Sequence, residues 1–178
     1  LAAIAAPYIS ALGERLREAI HLAQIDNGQV VFVDKRQASS RFATLARTGQ
    51  VAPAYCTGVG KAILAHLEPE AQAQALQQQA FLKYTDATHT STETLVRELE
   101  QIRAEGIAFD REEHEAGIIS IAAPILTDAG RVVGAVSIAT ATHRHTLDGL
   151  NAFRPALLEC ATRIGAEAQS WQSPSVPL

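Results

Sequence analysis

The clearest alternation of apolar and polar residues in this 178-residue chain lies in its second half. The pattern predicts a short strand at residues 107–110, an acidic turn, and a hairpin with arms at Ile118–Leu126 and 131–140. The loop between the arms is polar and ends in Gly130, which is typical of hairpin connections. We therefore expect a central pair of antiparallel strands in this region.

The two faces of this hairpin differ in character. Closing the loop with Leu126 opposite Arg131 puts Ser120 opposite Ser137, and strand side chains alternate between faces. One face then carries small or hydroxylated residues beside one isoleucine, namely Ile118, Ser120, Ala122, Ala135, Ser137 and Ala139. The other face carries Ile119, Ile121, Ile125, Val132, Val136 and Ile138. A face of Ser and Ala leaves space for a closely packed helix or for a small polar ligand, and the pattern leaves both open.

The remaining periodic segments surround the hairpin. Apolar spacing predicts a helix over residues 1–19, and strands follow at Ala19–Asp26 and 29–35, joined by the strong turn signal Asn27-Gly28. A third strand is predicted at residues 39–48. Further helices are predicted at residues 61–67, at 69–80, between a capping box at 90–93 and Gly106, and from Thr146 onward with a break at Pro155.

The order of these elements predicts an α+β fold. Because the central strands are apolar on both faces, helices should cover the sheet on both sides. We expect one antiparallel sheet of about six strands, and no linker or repeat divides the chain. Residues 1–178 are therefore predicted to form a single domain.

Composition excludes several classes of protein. The chain has 15 Lys+Arg against 19 Asp+Glu, which gives a net charge of −4. It has no basic stripe, so it lacks the clustered positive charge that is typical of a nucleic-acid-binding surface. No apolar run approaches the roughly 18 residues of a membrane span, and charges within residues 1–20 exclude a signal peptide. Two cysteines suggest a reduced, cytoplasmic protein. The chain contains no methionine and opens in mid-helix, so we expect it to be the C-terminal portion of a longer polypeptide.

The segment around residue 57 predicts a binding site for an anion. Thr57 is a good N-cap, which would place the amides of Gly58, Val59 and Gly60 at the start of a helix. Unpaired N–H groups and the positive end of the helix dipole favour an anion there. The alternative is an ordinary tight helix start without a ligand.

Other reactive residues make weaker sites. Cys56 has no histidine nearby in sequence, so a buried inert thiol is the simpler interpretation. His143 and His145, with the acidic run at residues 110–115, could supply metal ligands, but no HExxH or CxxC spacing is present. Nothing completes a catalytic pair of carboxylates within that run. We therefore predict no enzymatic activity, no metal and no cofactor.

Asp110 is the more informative acid. It ends a predicted strand at the mouth of the small-residue face. Its carboxylate could simply cap the following turn. It could also lie over a ligand held by donors at Gly58 and Val59 and by the hydroxyls of Ser120 and Ser137, and it would then have to share a proton with a bound acid.

Four motifs in this order resemble the effector-binding domain of the IclR family of bacterial transcriptional regulators. They are PAYCTGVGKAILA at residues 53–65, GIAFDREEH at 106–114, GIISIAAP at 117–124 and VSI at 136–138. The resemblance implies a GAF-like fold and a winged helix-turn-helix DNA-binding domain outside this chain. It also implies a homodimer or homotetramer that contacts DNA through that missing domain and responds to a small organic-acid metabolite.

The resemblance also implies a set of effector-binding residues. Carried over by position, these are the backbone donors of Gly58 and Val59, the side chains of Asp110, Ser120, Ser137 and Ala139, and the wall residues Thr44 and Ile118. The family commonly has Cys at position 120 and often a second Ser at position 139. Serine at position 120 is a better hydrogen-bonding group than cysteine, and Ala139 leaves room for a larger or less polar ligand.

The sequence thus predicts a sensor domain that binds a small organic acid and controls attached DNA-binding domains. Three alternatives remain open. The chain could be a GAF-like sensor from another signalling protein, a small hydrolase or transferase that uses Asp110, or a dimerisation module without a ligand.

Overall fold

The computed structural model describes residues 1–37 and 46–172, with the side chains of 171 and 172 left aside. The strands within these ranges are β1 (Ala19–Asp26), β2 (Gln29–Gln37), β3 (Val51–Pro53), β4 (Ala108–Arg111), β5 (Ile118–Leu126) and β6 (Val132–Ala141). The helices are α1 (Ala2–Leu16), α2 (Gly58–His66), α3 (Pro69–Gln77), α4 (Thr92–Glu105), α5 (Leu147–Asn151) and α6 (Arg154–Gln172). The strands form one antiparallel sheet in the order β3-β2-β1-β6-β5-β4.

Helices cover both faces of the sheet, which confirms the predicted α+β fold. α2 packs on one face, where Ala122 and Ala135 are buried, and α4 packs behind α2. α1 and α6 pack on the other face, where Ile121 and Ile138 are fully buried. Each face therefore has its own hydrophobic core, and the small side chains of the first face allow α2 to approach closely.

The register of the central hairpin differs by two residues from the predicted pairing. Ser120 lies opposite Ala139, and Ser137 lies opposite Ala122, so the predicted pairing of the two serines is wrong. A shift by an even number of residues keeps each side chain on its face, because strand side chains alternate with a period of two. Both serines therefore remain on the small-residue face.

The loop of the hairpin explains this shift. Thr127 donates its N–H to the carbonyl of Arg131 at 2.9 Å, so Arg131 belongs to the loop and not to the strand. A bulge follows between Ile125 and Leu126, and Leu126 pairs with Val132. The bulge turns Val132 towards the core beneath α2, contrary to its predicted place on the bulky face.

The third strand lies elsewhere than predicted. Residues 39–45 of the expected strand lie outside the described residues, and residues 46–48 are not strand. β3 instead forms at Val51–Pro53, beside β2 at the edge of the sheet. A three-residue edge strand that ends in proline shows too little alternation to be predicted from sequence.

The start of α4 also differs from the prediction. Ser91 is the N-cap, and its Oγ accepts a hydrogen bond from the N–H of Thr94 at 3.3 Å. The expected capping box between Thr90 and Glu93 is therefore not formed. Gly106 ends the helix as predicted, in the left-handed conformation with φ of 70°.

The last helical segment is divided near Pro155, as predicted. α5 ends at Asn151 and α6 begins at Arg154, which places the proline in the first turn of α6. Proline is tolerated there because the first amides of a helix have no intrahelical acceptor. Among the helices of the described residues, none has the length and apolar character needed to cross a bilayer.

Candidate functional site

A cavity of about 150 Å³ lies between the start of α2 and the small-residue face of the sheet. An apolar cavity of roughly this volume holds benzene in another protein, so the space suits a compact molecule. The described residues that line the cavity are His21, Phe32, Ala46, Gln50, Ala52, Thr57, Gly58, Val59, Asp110, His114, Glu115, Ile118, Ser120, Ser137 and Ala139.

The start of α2 brings backbone amides to the cavity. Thr57 caps the helix: its Oγ1 accepts a hydrogen bond from the N–H of Gly60 at 3.3 Å and donates one to the carbonyl of Pro53 at 2.8 Å. The N–H groups of Gly58 and Val59 have no intrahelical acceptor, and both residues line the cavity. These donors and the positive end of the helix dipole suit an anion.

Two glycines allow this helix start to fit closely against its neighbours. A Cβ atom at Gly60 would lie 2.3 Å from the carbonyl oxygen of Ala54, so only glycine fits there without a backbone shift. A Cβ atom at Gly58 would lie 2.6 Å from Oγ of Ser120. The first residue of α2 therefore packs directly against the hydroxyl group of Ser120 on β5.

Three of the predicted site residues form a row across the sheet. Asp110 on β4 lies opposite Ser120 on β5, which lies opposite Ala139 on β6. Ser137 occupies the next row, two residues further along β6. A buried carboxyl group and two buried hydroxyl groups therefore face the same space as the amides of α2.

Asp110 is a buried acid that binds its proton more tightly than an ordinary aspartate. Its side chain is almost inaccessible, and its Oδ1 accepts a hydrogen bond from the N–H of Glu113 at 2.8 Å. Burial raises the pKa of Asp110 to about 7, and the nearby charge of Glu113 contributes to the rise. Near neutral pH the carboxyl group can therefore donate a hydrogen bond, which an ordinary aspartate cannot do.

A buried ionic network lies behind Asp110. The Nζ atom of the fully buried Lys61 is 2.7 Å from Oε2 of Glu113 and 2.8 Å from Oε1 of Glu98. Burial alone would raise the pKa of Glu98, but hydrogen bonds and charges from His89 and Lys61 lower it to about 2. This network was not predicted from the sequence, although a lysine within the apolar run GVGKAILA was a usable signal.

His21 is a second residue that was not predicted from the sequence. It lies on β1 between the core residues Ile20 and Leu22, and its imidazole faces the cavity beside the ring of Phe32, with centroids 5.5 Å apart. Burial, with a smaller effect of Lys35, lowers the pKa of His21 to about 3, so the ring is neutral at physiological pH. The sequence did contain a signal for this residue. Strand alternation places His21 on the opposite face of β1 from its apolar neighbours Ile20 and Leu22.

The structure brings together seven of the eight predicted site residues: Gly58, Val59, Asp110, Ile118, Ser120, Ser137 and Ala139 line the cavity. Thr44 lies outside the described residues. That these residues bind an effector stays a prediction. A helix does pack closely on the small-residue face, over Ala122 and Ala135, and the cavity is left over the serines.

The candidate nucleophile Cys56 is fully buried. Burial strongly raises the pKa of its thiol, and the negative charges of Asp110 and Glu113 act in the same direction. Because the thiolate is the reactive form, this cysteine is inert, as the sequence indicated.

The candidate metal ligands do not assemble as the weaker sequence hypothesis required. His143 is exposed, and His145 contacts Glu18 through Nε2 at 2.8 Å. In the part of the chain that the structure describes, the one group with converging ligand atoms is His89, Glu98 and Glu113. The ammonium group of Lys61 already lies against both of those carboxylates. That the protein holds no metal stays a prediction.

Comparison with known sequences agrees with the resemblance. The family profile described as "Bacterial transcriptional regulator IclR C-terminal" matches residues 1–166. The HTH-type transcriptional regulator KdgR of Escherichia coli (strain K12) is 31% identical over 156 residues, which are 88% of this chain and 59% of KdgR. The chain thus spans about three fifths of the length of that relative.

Solved structures share the fold. A transcriptional regulator from Rhodococcus sp. RHA1 has a TM-score of 0.90 at 29% identity, over 96% of this chain and 70% of that one. An IclR homolog from Microbacterium hydrocarbonoxydans, solved in complex with 4-hydroxybenzoate, has a TM-score of 0.81 at 24% identity, over 95% and 68% of the two chains. These similarities confirm the predicted GAF-like arrangement of an antiparallel sheet between helices.

Proposed function

This chain belongs to the IclR family of bacterial transcriptional regulators, and we propose that it is the domain through which such a regulator senses a small organic acid. In this proposal the acid binds in the cavity beneath α2. Binding then controls a winged helix-turn-helix domain in the same full-length protein, which acts as a homodimer or homotetramer in the cytoplasm. The acid can do so only if it binds one arrangement of those domains better than another.

Membership of this family removes two of the earlier alternatives. The curated relatives include the regulators KdgR and BhcR and the repressor AllR, and the prediction that the chain is not an enzyme is confirmed at the level of the family. A hydrolase using Asp110 and a sensor from an unrelated signalling protein are therefore set aside. The dimerisation module without a ligand is tested by the experiments below.

The proposal rests on one observation. Unpaired backbone amides, a buried carboxyl group and buried hydroxyl groups all line the same cavity. Gly58 and Val59 lie at the positive end of α2, and Ser120 and Asp110 lie beside them on the sheet. A carboxylate at this position would accept hydrogen bonds from the amides and from Ser120. The cavity volume of about 150 Å³ suits a compact acid.

Asp110 fits this role because it can hold a proton near neutral pH. Two ionised carboxylates in contact repel one another, whereas a protonated and an ionised carboxyl group share a strong hydrogen bond. The groups around Asp110 are Glu113, Glu98 and the ammonium of Lys61. We propose that the lysine neutralises its two partners and leaves Asp110 as the group that meets the ligand.

We expect a compact monocarboxylic acid to raise the melting temperature of this chain. The test is a thermal-shift screen at pH 6, where Asp110 is mainly protonated, against keto acids, sugar acids and aromatic acids. Ser120→Ala should weaken the binding of any hit by about tenfold, because one hydrogen bond is lost. Ser170→Ala, which removes an exposed hydroxyl on α6, should leave the shift unchanged. The absence of any hit at millimolar concentrations would instead favour a dimerisation module without a ligand.

Gly58→Ala should block the cavity at the amides while the domain remains folded. The added methyl group would lie 2.6 Å from Oγ of Ser120, and it would occupy the space that we assign to the ligand carboxylate. We expect at least a tenfold loss of affinity for any acid found in the screen, measured by calorimetry. Gly149→Ala is the control, because Gly149 also lies in the first turn of a helix with a threonine N-cap, and its methyl group would meet Oγ1 of Thr146 at an ordinary 3.4 Å. Unchanged affinity in Gly58→Ala would remove the amides of α2 from the site.

A further inference from the structure

We propose that Glu115 restricts the cavity to acids that carry a single negative charge. The ligand class is then a compact monocarboxylate whose other polar groups are uncharged, and an acid with a second anionic group is rejected. This inference rests on the proposed function, because it takes the one carboxylate to lie at the amides of Gly58 and Val59.

Glu115 lies in the turn between β4 and β5, which forms one wall of the cavity. Glu115 and its neighbour His114 both line the cavity, and both are partly exposed. The negative charge of Glu115 acts on the imidazole of His114, where it opposes the fall in pKa that burial causes. The carboxylate is therefore close to a lining side chain, and its field extends to a ligand in the cavity.

Hydrogen bonds from the segment before α4 hold the backbone of this turn in place. Oγ1 of Thr85 donates to the carbonyl of Glu112 at 2.6 Å. Oγ1 of Thr88 donates to the carbonyl of Glu113 at 2.5 Å. The wall that carries Glu115 is thus fixed to the body of the domain before any ligand binds.

The described lining of the cavity contains no lysine or arginine that could compensate a second charge on the ligand. Its two histidines do not replace one. Burial lowers the pKa of both, that of His21 to about 3, and leaves them mainly uncharged at neutral pH. The ammonium of Lys61 already lies against the carboxylates of Glu113 and Glu98. A second anionic group would therefore be buried near Glu115 without a cation in the described lining.

The first carboxylate is accommodated by a different part of the cavity. In the proposed binding mode it accepts hydrogen bonds from the amides of α2 and from Ser120, and it meets Asp110 as a protonated acid. These donors surround one position and serve one anionic group. Discrimination between ligands commonly combines such an attractive site with a repulsive element, and Glu115 is the repulsive element here.

The test compares acids of the same shape that differ by one negative charge. Calorimetry at pH 7 and low ionic strength gives dissociation constants of this chain for succinamate against succinate and for terephthalamate against terephthalate. In each pair an uncharged amide replaces one carboxylate. For at least one pair we expect the singly charged acid to bind about a hundredfold more tightly, because a like charge placed against Glu115 is costly.

Two substitutions test the role of Glu115 in this preference. Glu115→Gln keeps the size of the side chain and removes its charge, so the preference should fall about tenfold. Glu115→Lys supplies a cation and should reduce the preference further. Glu70→Gln is the matched control, because Glu70 is exposed on α3, does not line the cavity and changes the net charge by the same amount. Added salt should narrow the preference of wild type more than that of Glu115→Gln.

The outcomes separate the two proposals. If wild type binds the doubly charged member of each pair as tightly as the singly charged one, or if Glu115→Gln keeps the full preference, the role of Glu115 is overturned and the acid-binding function stands. If none of the four acids binds, this inference is overturned, and the thermal-shift screen decides the acid-binding function independently. A melting curve for each variant verifies that the compared proteins are folded.

Discussion

Replacing Lys61 with methionine is expected to lower the free energy of unfolding by about 3–5 kcal/mol at pH 7. The ammonium of Lys61 is fully buried and lies within 2.8 Å of carboxylate oxygens from Glu113 and Glu98. Methionine fills a similar volume but leaves two carboxylates without their cation. The loss comes mainly from buried negative charge that is no longer compensated, and urea denaturation measures it directly.

A second substitution tests this explanation. Adding Glu113→Gln to Lys61→Met removes one of the uncompensated charges, so the double variant should be more stable than Lys61→Met alone. Lys83→Met is the control, because Lys83 pairs with Asp86 on the surface and its loss should have no measurable effect. Wild-type stability in Lys61→Met at pH 7 would show that the buried pairing contributes little to the fold.

Asp110→Asn is expected to stabilise the domain above neutral pH by up to about 4 kcal/mol. The folded-state pKa of Asp110 is raised from 3.8 to about 7, first by burial and then by the charge of Glu113. In the unfolded chain the same carboxyl group ionises near pH 4. Folding must therefore keep a proton on the buried acid, or bury its charge, at every pH above that value. Asparagine removes this penalty and keeps an oxygen to accept the hydrogen bond from the Glu113 N–H.

The direction of the pKa shift determines the pH range over which Asp110 changes the stability of the domain. Below the unfolded-state pKa both states are protonated, and the wild type and Asp110→Asn should be equally stable. As the pH rises from about 4 to about 7, the wild type loses stability relative to the variant, and above 7 the difference is constant. Denaturation series at pH 4, 6 and 8 measure this change, with the exposed Asp128→Asn as a control. A variant that is less stable than wild type at pH 8 would contradict a raised pKa.

A gain in stability from removing Asp110 would also bear on function. Residues that destabilise the fold are commonly retained where binding or catalysis needs them. The acid lies at the cavity, beside Ser120 and the start of α2, where we propose that the ligand carboxylate binds. Such a gain would support our proposal that Asp110 is buried for ligand recognition and not for the stability of the sheet.

The sequence by itself determined the local elements and their faces. The alternation of residues placed Ser120 and Ser137 on one face, and the hydroxyl of Thr57 identified the start of α2. The turn at Asn27-Gly28 was equally clear, and both residues have the positive φ values that such a turn requires. These features depend on residues within one turn or one strand, so short-range patterns specify them. The motif GIAFDREEH, which resembles the family pattern, was enough to nominate Asp110 as a site residue.

The tertiary structure alone decided which of these residues face one another. The register of β5 with β6 depends on the loop that Arg131 closes and on the bulge before Leu126, and neither leaves a clear mark on the alternation. The contribution of His21 to the cavity follows from the pairing of β1 with β6, which are distant in sequence. Lys61 can be buried only because carboxylates from α4 and from the turn after β4 meet it. Strand pairing and the compensation of buried charge arise between distant segments, so local sequence patterns do not contain them.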